Sequence, residues 1–212
     1  MKIRKQLTSF AMLCLMLTLT STATAQETLD TRIGKLEFTH DFANGYPTDA
    51  TVTTLYDEMD FQRAVQAYIW SIPLMGFEYW QGKQNKELGL ANGQLVYMVT
   101  YDEKLCCLTL NVTTPYVQGF IDLRESGPMV IEIPEGGQVR GATHDMWQIE
   151  IAQMTRPGKY LFVGPYQEVP PEAESEGLVI EHSPMNDMFV GVRLMPEDEK
   201  TREALLKQVK VY

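Results

Sequence analysis

The chain predicts a mainly β fold of the α+β class: β-sandwich-like antiparallel sheets, amino-terminal helices packed on them, and a short carboxy-terminal helix. Three observations predict it. Beyond Gln94, short apolar runs recur between glycine, proline and acidic turn signals, as in an all-β region. Ahead of them, Phe61, Val65, Tyr68, Ile69 and Ile72 recur at steps of three and four, the spacing of one helical face. After them, Pro196 to Gln208 carries Glu197, Asp198 and Glu199 first and Arg202 and Lys207 later, the order a helix dipole favours.

The first 25 residues have the three parts of a secretory signal. Lys2, Arg4 and Lys5 form a basic end, Leu7 to Leu19 an apolar centre, and Ala23-Thr24-Ala25 a small-residue cleavage site. The sequence thus predicts cleavage after Ala25 and export to the periplasm or beyond. The apolar run is too short to span a bilayer, so no integral span is expected after cleavage. Of 212 residues, about 187 remain, enough for one domain with its own core. Residues 26–53 read as an irregular lead-in, with a turn at Asn44-Gly45-Tyr46-Pro47, and 54–212 as a single helix-plus-β domain.

Losing Lys2, Arg4 and Lys5 leaves 15 basic residues against 28 acidic ones, a net of −13. Such a surface repels nucleic acid and anionic lipid, and no Lys/Arg cluster opposes this. Cys106 and Cys107 are the mature cysteines; adjacent residues on a strand point to opposite faces, so they read as two small buried hydrophobes.

Each element has its own signals. Thr54 and Asp57 have the spacing of a capping box, which starts the main helix near Leu55. Pro73 removes a backbone donor, so a kink or stop is expected there, with a second apolar turn over Leu74 to Trp80. Both pieces read as a buried spine. Leu95 to Tyr101 and Leu105 to Leu110 flank Asp102-Glu103-Lys104 as a hairpin. Strands follow at Tyr116 to Leu123, Met129 to Ile133, Val139 to Ile151, Lys159 to Val163, Leu178 to Glu181 and Met188 to Leu194. Glu172 to Glu176 reads as an exposed acidic loop.

The run NGYPTDATVTTLYDEMDFQRAVQAYIWSIPL, Asn44 to Leu74, resembles the opening of the domain-of-unknown-function 1254 family. LTLNVTTPYVQGFIDL, GPMVIEIP, HDMWQ and GKYLFVGP then follow in the order that family shows. The resemblance covers roughly Phe42 to Tyr212 and implies an exported, sandwich-like domain with amino-terminal helices and no agreed activity. Relatives commonly continue into a second β domain of the 1214 unknown-function type, so a second β domain on a separate chain, or self-association, is the partner it implies.

One polar cluster stands out for chemistry. Asn111, Thr114 and Tyr116 match the family's Asn-x-x-Thr-x-Tyr element, and Asp145 and Trp147, with His144 just before them, its Asp-x-Trp element. Asn111, Thr114, Tyr116 and Trp147 are the candidate ligand-binding residues, the two aromatics offering stacking surfaces for a glycan or other small molecule. His144 and Asp145 are the candidate catalytic residues, although strand neighbours face opposite ways and would not form a direct dyad. His40, His144 and His182 share no metal-ligand spacing, and Gly136-Gly137 reads as a hairpin turn rather than a phosphate cradle; no cofactor or metal is predicted. Two readings stay open: an exported binding or interaction module, and an enzyme acting on a small envelope or environmental molecule through His144 or Asp145 near Tyr116.

Overall fold

The computed structural model describes residues 26–99, 114–136 and 138–212. The signal segment, the Asp102-Glu103-Lys104 hairpin with its second strand, Cys106, Cys107 and Asn111 lie outside the described residues. The chain forms two compact units, a smaller one ending at Ile69 and a larger one, Trp70–Tyr212.

In the smaller unit, strands β1 (Thr28–Thr31) and β2 (Gly34–Glu37) pair antiparallel, with Thr31 opposite Gly34. Gly34 turns the chain at φ 118, a conformation that suits a residue without Cβ. The lead-in therefore holds a hairpin. Its strands are nearly all exposed, Leu36 alone being buried, so no alternation of apolar and polar residues betrays it.

Helix α1 (Asp49–Leu88) begins well before Leu55. Its cap is Thr48, whose hydroxyl accepts from the Thr51 N–H at 3.3 Å. Thr51, buried, anchors that end: its hydroxyl accepts from Glu37 N at 2.7 Å and donates to Glu37 O at 2.9 Å. Thr54 caps nothing and donates back to the Ala50 carbonyl within the helix.

Two expectations about this helix are corrected. Of the kink or stop expected at Pro73, the stop is not found: the helix runs through the proline, 40 residues from Asp49 to Leu88. Proline has no N–H for the carbonyl four residues back, so one rung of the ladder is lost. Pro73's own carbonyl accepts from Gln148 Nε2 at 3.2 Å. Nor is the Phe61–Ile72 face a buried spine: Phe61 is 61% exposed, Tyr68 65% and Ile72 51%. Within the larger unit the inward line is Phe77 and Gln84, both buried, with Trp80 half-buried between them. Those three lie three and four residues apart, one face of the helix.

The larger unit is mainly β, as predicted. Five strands pair antiparallel in the order β3-β4-β10-β6-β7: β3 (Leu95–Met98), β4 (Tyr116–Asp122), β10 (Asp187–Leu194), β6 (Val139–Asp145) and β7 (Glu150–Met154). A second sheet has the order β11-β5-β8-β9: β11 (Lys210–Val211), β5 (Met129–Ile133), β8 (Gly158–Val163) and β9 (Val179–His182). Here β8 and β9 run parallel, a departure from the all-antiparallel expectation. Val139 to Ile151, read as one strand, is two, β6 and β7 folded about a turn. A single turn of helix α2 (Leu123–Ser126) follows β4, and α3 (Glu199–Leu206) starts at Asp198, whose carboxylate accepts from Thr201 N at 2.8 Å.

Both sheets turn their apolar faces into one core. Val117 and Ile121 of β4, Ile131 of β5, Phe162 of β8 and Val190 and Val192 of β10 are all buried in it. The opposite face of the four-stranded sheet carries Val130, Leu161 and Val163, covered by Ala173. The opposite face of the five-stranded sheet is the one that matters for function.

Candidate functional site: a cleft on the five-stranded sheet

Strand alternation decides what that face presents. Because Val117, Ile121, Met188, Val190 and Val192 point into the core, their immediate neighbours point away from it. Register then sorts those neighbours into three rows. Tyr116 lies opposite Arg193, and Arg193 opposite Arg140. Next come Gln118, Gly191, Ala142 and Gln153. The third row is Phe120, Phe189, His144 and Glu150, the last reached through a register shift between Thr143 and His144.

The middle row explains the cleft. Ala142 places only a methyl above the sheet where the rows on either side carry long side chains, and at Gly191 the missing side chain lets the Phe189 ring lean across the strand. The hollow measures about 510 Å³, within the roughly 300–1,000 Å³ of small-molecule sites. Trp80 of α1 walls the third-row side: its ring lies 4.6 Å from Phe189 and 5.2 Å, edge-on, from Phe120. Phe77 adds an edge contact to Phe120 at 5.2 Å. One turn further on, Gln84 accepts a hydrogen bond from Gln118 Nε2 at 3.3 Å, fixing one end of the middle row. A smaller hollow of about 250 Å³ shares Trp80, His144 and Phe189 with the first.

Charge is unevenly placed. Arg140 and Arg193 are exposed register partners, and among the described residues neither has a carboxylate within ion-pair distance. The Arg193 guanidinium lies 4.8 Å from the centroid of Tyr116, which supports it as a cation–π platform. Arg124, by contrast, is fully engaged, with Asp122 at 2.8 Å and Asp187 at 2.6 Å. The Arg124 hydrogen bonds hold the Asp122 carboxyl below the usual carboxylate range. Gln81 donates to the same Asp187 at 3.3 Å, so this network ties α1 to the start of β10 beside the third row.

The structure brings together some of the predicted residues and separates others. Tyr116 and His144 line the cleft. Asp145 is buried on the opposite face, where its Oδ1 accepts from Trp147 N at 2.8 Å and Ile149 N at 2.9 Å. That carboxylate closes the β6–β7 turn. Trp147 sits on the same turn and packs on Trp70 at 4.3 Å rather than lining the cleft. Thr114 lies half-buried just ahead of β4. Among the described residues no group of His, Cys, Asp and Glu is placed to hold a metal ion.

Sequence reasoning missed Trp80, Gln118, Arg140, Glu150, Gln153, Phe189 and Arg193. A signal for some was present. In Met188 to Leu194 the buried residues alternate with Phe189, Gly191 and Arg193, and in Val139 to Asp145 the intervening set is Arg140, Ala142 and His144. Two strands with an Arg, a small residue and an aromatic or imidazole ring on one face suggest a floor.

Fold and site together define a mainly β protein of the α+β class with a ligand-sized cleft on the face of one sheet. A family model described as "Protein of unknown function (DUF1254)" matches residues 94–212, more than half the sequence, and the chain belongs to that family. No curated protein matches it. Among solved structures it is similar to the VPA0106 protein from Vibrio parahaemolyticus, with a TM-score of 0.53 and 16% identity. The similarity covers 68% of this chain but only 36% of the Vibrio protein, and at that identity it shows a shared fold alone. No helix among the described residues is long and apolar enough to cross a membrane.

Proposed function

We propose that the protein is an exported binding module and that the cleft over Ala142, beside the Phe189 ring that leans across Gly191, holds a small molecule. The observation that carries this reading is the middle row: two of the smallest residues sit between Gln118 and Gln153, with two arginines that have no carboxylate partner among the described residues on one side and an aromatic wall on the other. Sheets that use a face only for packing fill it with apolar side chains; this face offers converging polar groups around a recess.

The test is a thermal-shift and calorimetric screen of saccharides and small organic acids on the protein and on Ala142→Phe, which fills the recess. A ligand that stabilises the parent protein should leave the variant unmoved. A ligand that stabilises both equally places the site elsewhere and refutes the reading. Export rests on the three-part amino terminus, and sequencing the secreted protein should begin at Gln26; an intact Met1 would overturn it. Action beside a second β domain on another chain, or beside a second copy, is part of the same proposal and follows the family resemblance. Light scattering on the purified protein, alone and with candidate partners, checks this.

A second reading is enzymatic. It is favoured by the register pairing of His144 with Glu150, which puts an imidazole and a carboxylate on the same face of the cleft. Under it, His144→Ala abolishes turnover of a bound substrate while the melting temperature stays put. Turnover that survives the substitution rules it out.

A further inference from the structure

We propose that the ligand of this cleft is an acidic sugar: a pyranose ring carrying one carboxylate. The proposal rests on the cleft being the binding site, and each of its three rows bears on the chemistry of the occupant.

The first row calls for an anion. Arg193 and Arg140 face each other across adjacent strands, and like charges in that position repel. Neither has an acidic partner among the described residues, in a chain whose formal net charge is −10. A planar carboxylate relieves the repulsion and takes two parallel hydrogen bonds from a guanidinium. The Tyr116 ring, 4.8 Å from the Arg193 guanidinium, keeps that fork in place.

The third row calls for a ring. Trp80 and Phe189 lie 4.6 Å apart and present an apolar, partly exposed wall to the recess. A flat apolar face stacks there at little cost in ordering, because the aromatic groups are already held by Phe120 and Phe77.

The remaining groups separate a sugar from an aromatic acid. Gln118 and Gln153 bound the middle row, and His144 and Glu150 end the third. Gln118 Nε2 donates to Gln84 at 3.3 Å and Gln153 Nε2 to Glu150 at 2.9 Å, so the two amide oxygens face each other across the cleft as acceptors, with the His144 ring beside them. A hydroxyl-bearing ring matches these groups and a bare arene leaves them unmet. Glu150 repels a second negative charge, so the ligand has one acid group, directed to the arginine end. Rows on one face of a strand are separated by about 7 Å, so one ring over Ala142, against the Phe189 ring that leans across Gly191, reaches both ends.

The experiment is calorimetric titration with glucuronate and galacturonate, with glucose and benzoate as comparators. The uronates should bind, and glucose at least about tenfold more weakly. Arg140→Gln combined with Arg193→Gln should weaken uronate binding by about 10–100-fold without moving the melting temperature, since both side chains are exposed. Raising the salt concentration should weaken it further. Glucose binding as tightly as glucuronate, benzoate binding more tightly than either uronate, or no uronate binding at millimolar concentration overturns the acidic-sugar assignment. So does a double arginine variant with undiminished affinity. Where any of the four compounds binds, its loss in Ala142→Phe alongside one of those results retains the cleft and removes only the ligand class; unchanged affinity for it in Ala142→Phe removes the cleft itself.

Discussion

Replacing Gly191 by alanine sets two effects of known sign against each other. A glycine in a strand interior costs roughly 0.5–1 kcal/mol relative to alanine, so on backbone grounds Gly191→Ala should stabilise. Packing opposes this. A Cβ built at Gly191 would lie 2.8 Å from Phe189 Cε1 and 3.0 Å from its Cζ, too close for the ring to stay where it is. Phe189 is held by Trp80 at 4.6 Å and Phe120 at 5.5 Å, so turning it aside disturbs both contacts. Overpacking of this kind costs about 1–3 kcal/mol, and a lost aromatic pair about 0.5–1.5 kcal/mol more. The packing effect wins, leaving a net loss of roughly 1–3 kcal/mol. For a chain of this length that lowers the melting temperature by about 2–10 °C. Circular dichroism gives the midpoint, and tryptophan emission should change with it because Trp80 loses its neighbour. A midpoint equal to or above that of the parent protein would refute the reasoning, since it would mean that Phe189 is not confined and the cleft wall is not built as described.

Gly82, on α1, has nothing within 4 Å of the point a Cβ would occupy, so Gly82→Ala should raise stability by about 0.5–1 kcal/mol, seen as a higher melting temperature. Gln84 and Gln118 are buried partners, so replacing either one alone by methionine should cost about 1–2 kcal/mol in urea unfolding, whereas the double replacement should cost less than either. Asp122 has its carboxyl lowered from 3.8 by Arg124; a depressed carboxylate stabilises the folded state above its unfolded value and loses that stabilisation as pH falls through the folded one. Stability measured down the acid range should therefore begin to fall near pH 4, and Arg124→Gln should make that fall shallower.

What the sequence disclosed depended on how local the cause was. Strand β5 was legible to the residue because Gly127-Pro128 and Pro134 bracket Met129–Ile133. Helix α1 was legible as a helix but not in its extent or its surroundings. Thr48 and Thr54 look alike as caps, and only the hydrogen bonds of Thr51 to Glu37 on β2 select the earlier one. Steps of three and four place Phe61, Tyr68 and Ile72 on one face, yet periodicity cannot say whether anything covers that face. The β1–β2 hairpin was invisible because a two-stranded, solvent-facing ribbon needs no apolar pattern.

The cleft was half legible for the same reason. Tyr116 and His144 were singled out from local motifs and do share the cleft. Trp147 and Asp145 came from the same motif and do not, because one residue of displacement along a strand reverses the face and the turn claims the carboxylate. Arg140, Gln153, Phe189 and Arg193 join the cleft through pairings among β6, β7 and β10, and Trp80 through a helix far earlier in the chain. Register across non-consecutive strands is a tertiary fact that no single stretch encodes.

The most direct measurement of the central claim follows the arginine side-chain N–H resonances by NMR while glucuronate is added, in the parent protein and in Ala142→Phe. The account predicts that the Nε–H signals of Arg140 and Arg193 shift together and saturably in the parent and stay fixed in the variant. Shifts confined to other arginines, or identical titrations in the two proteins, would contradict it.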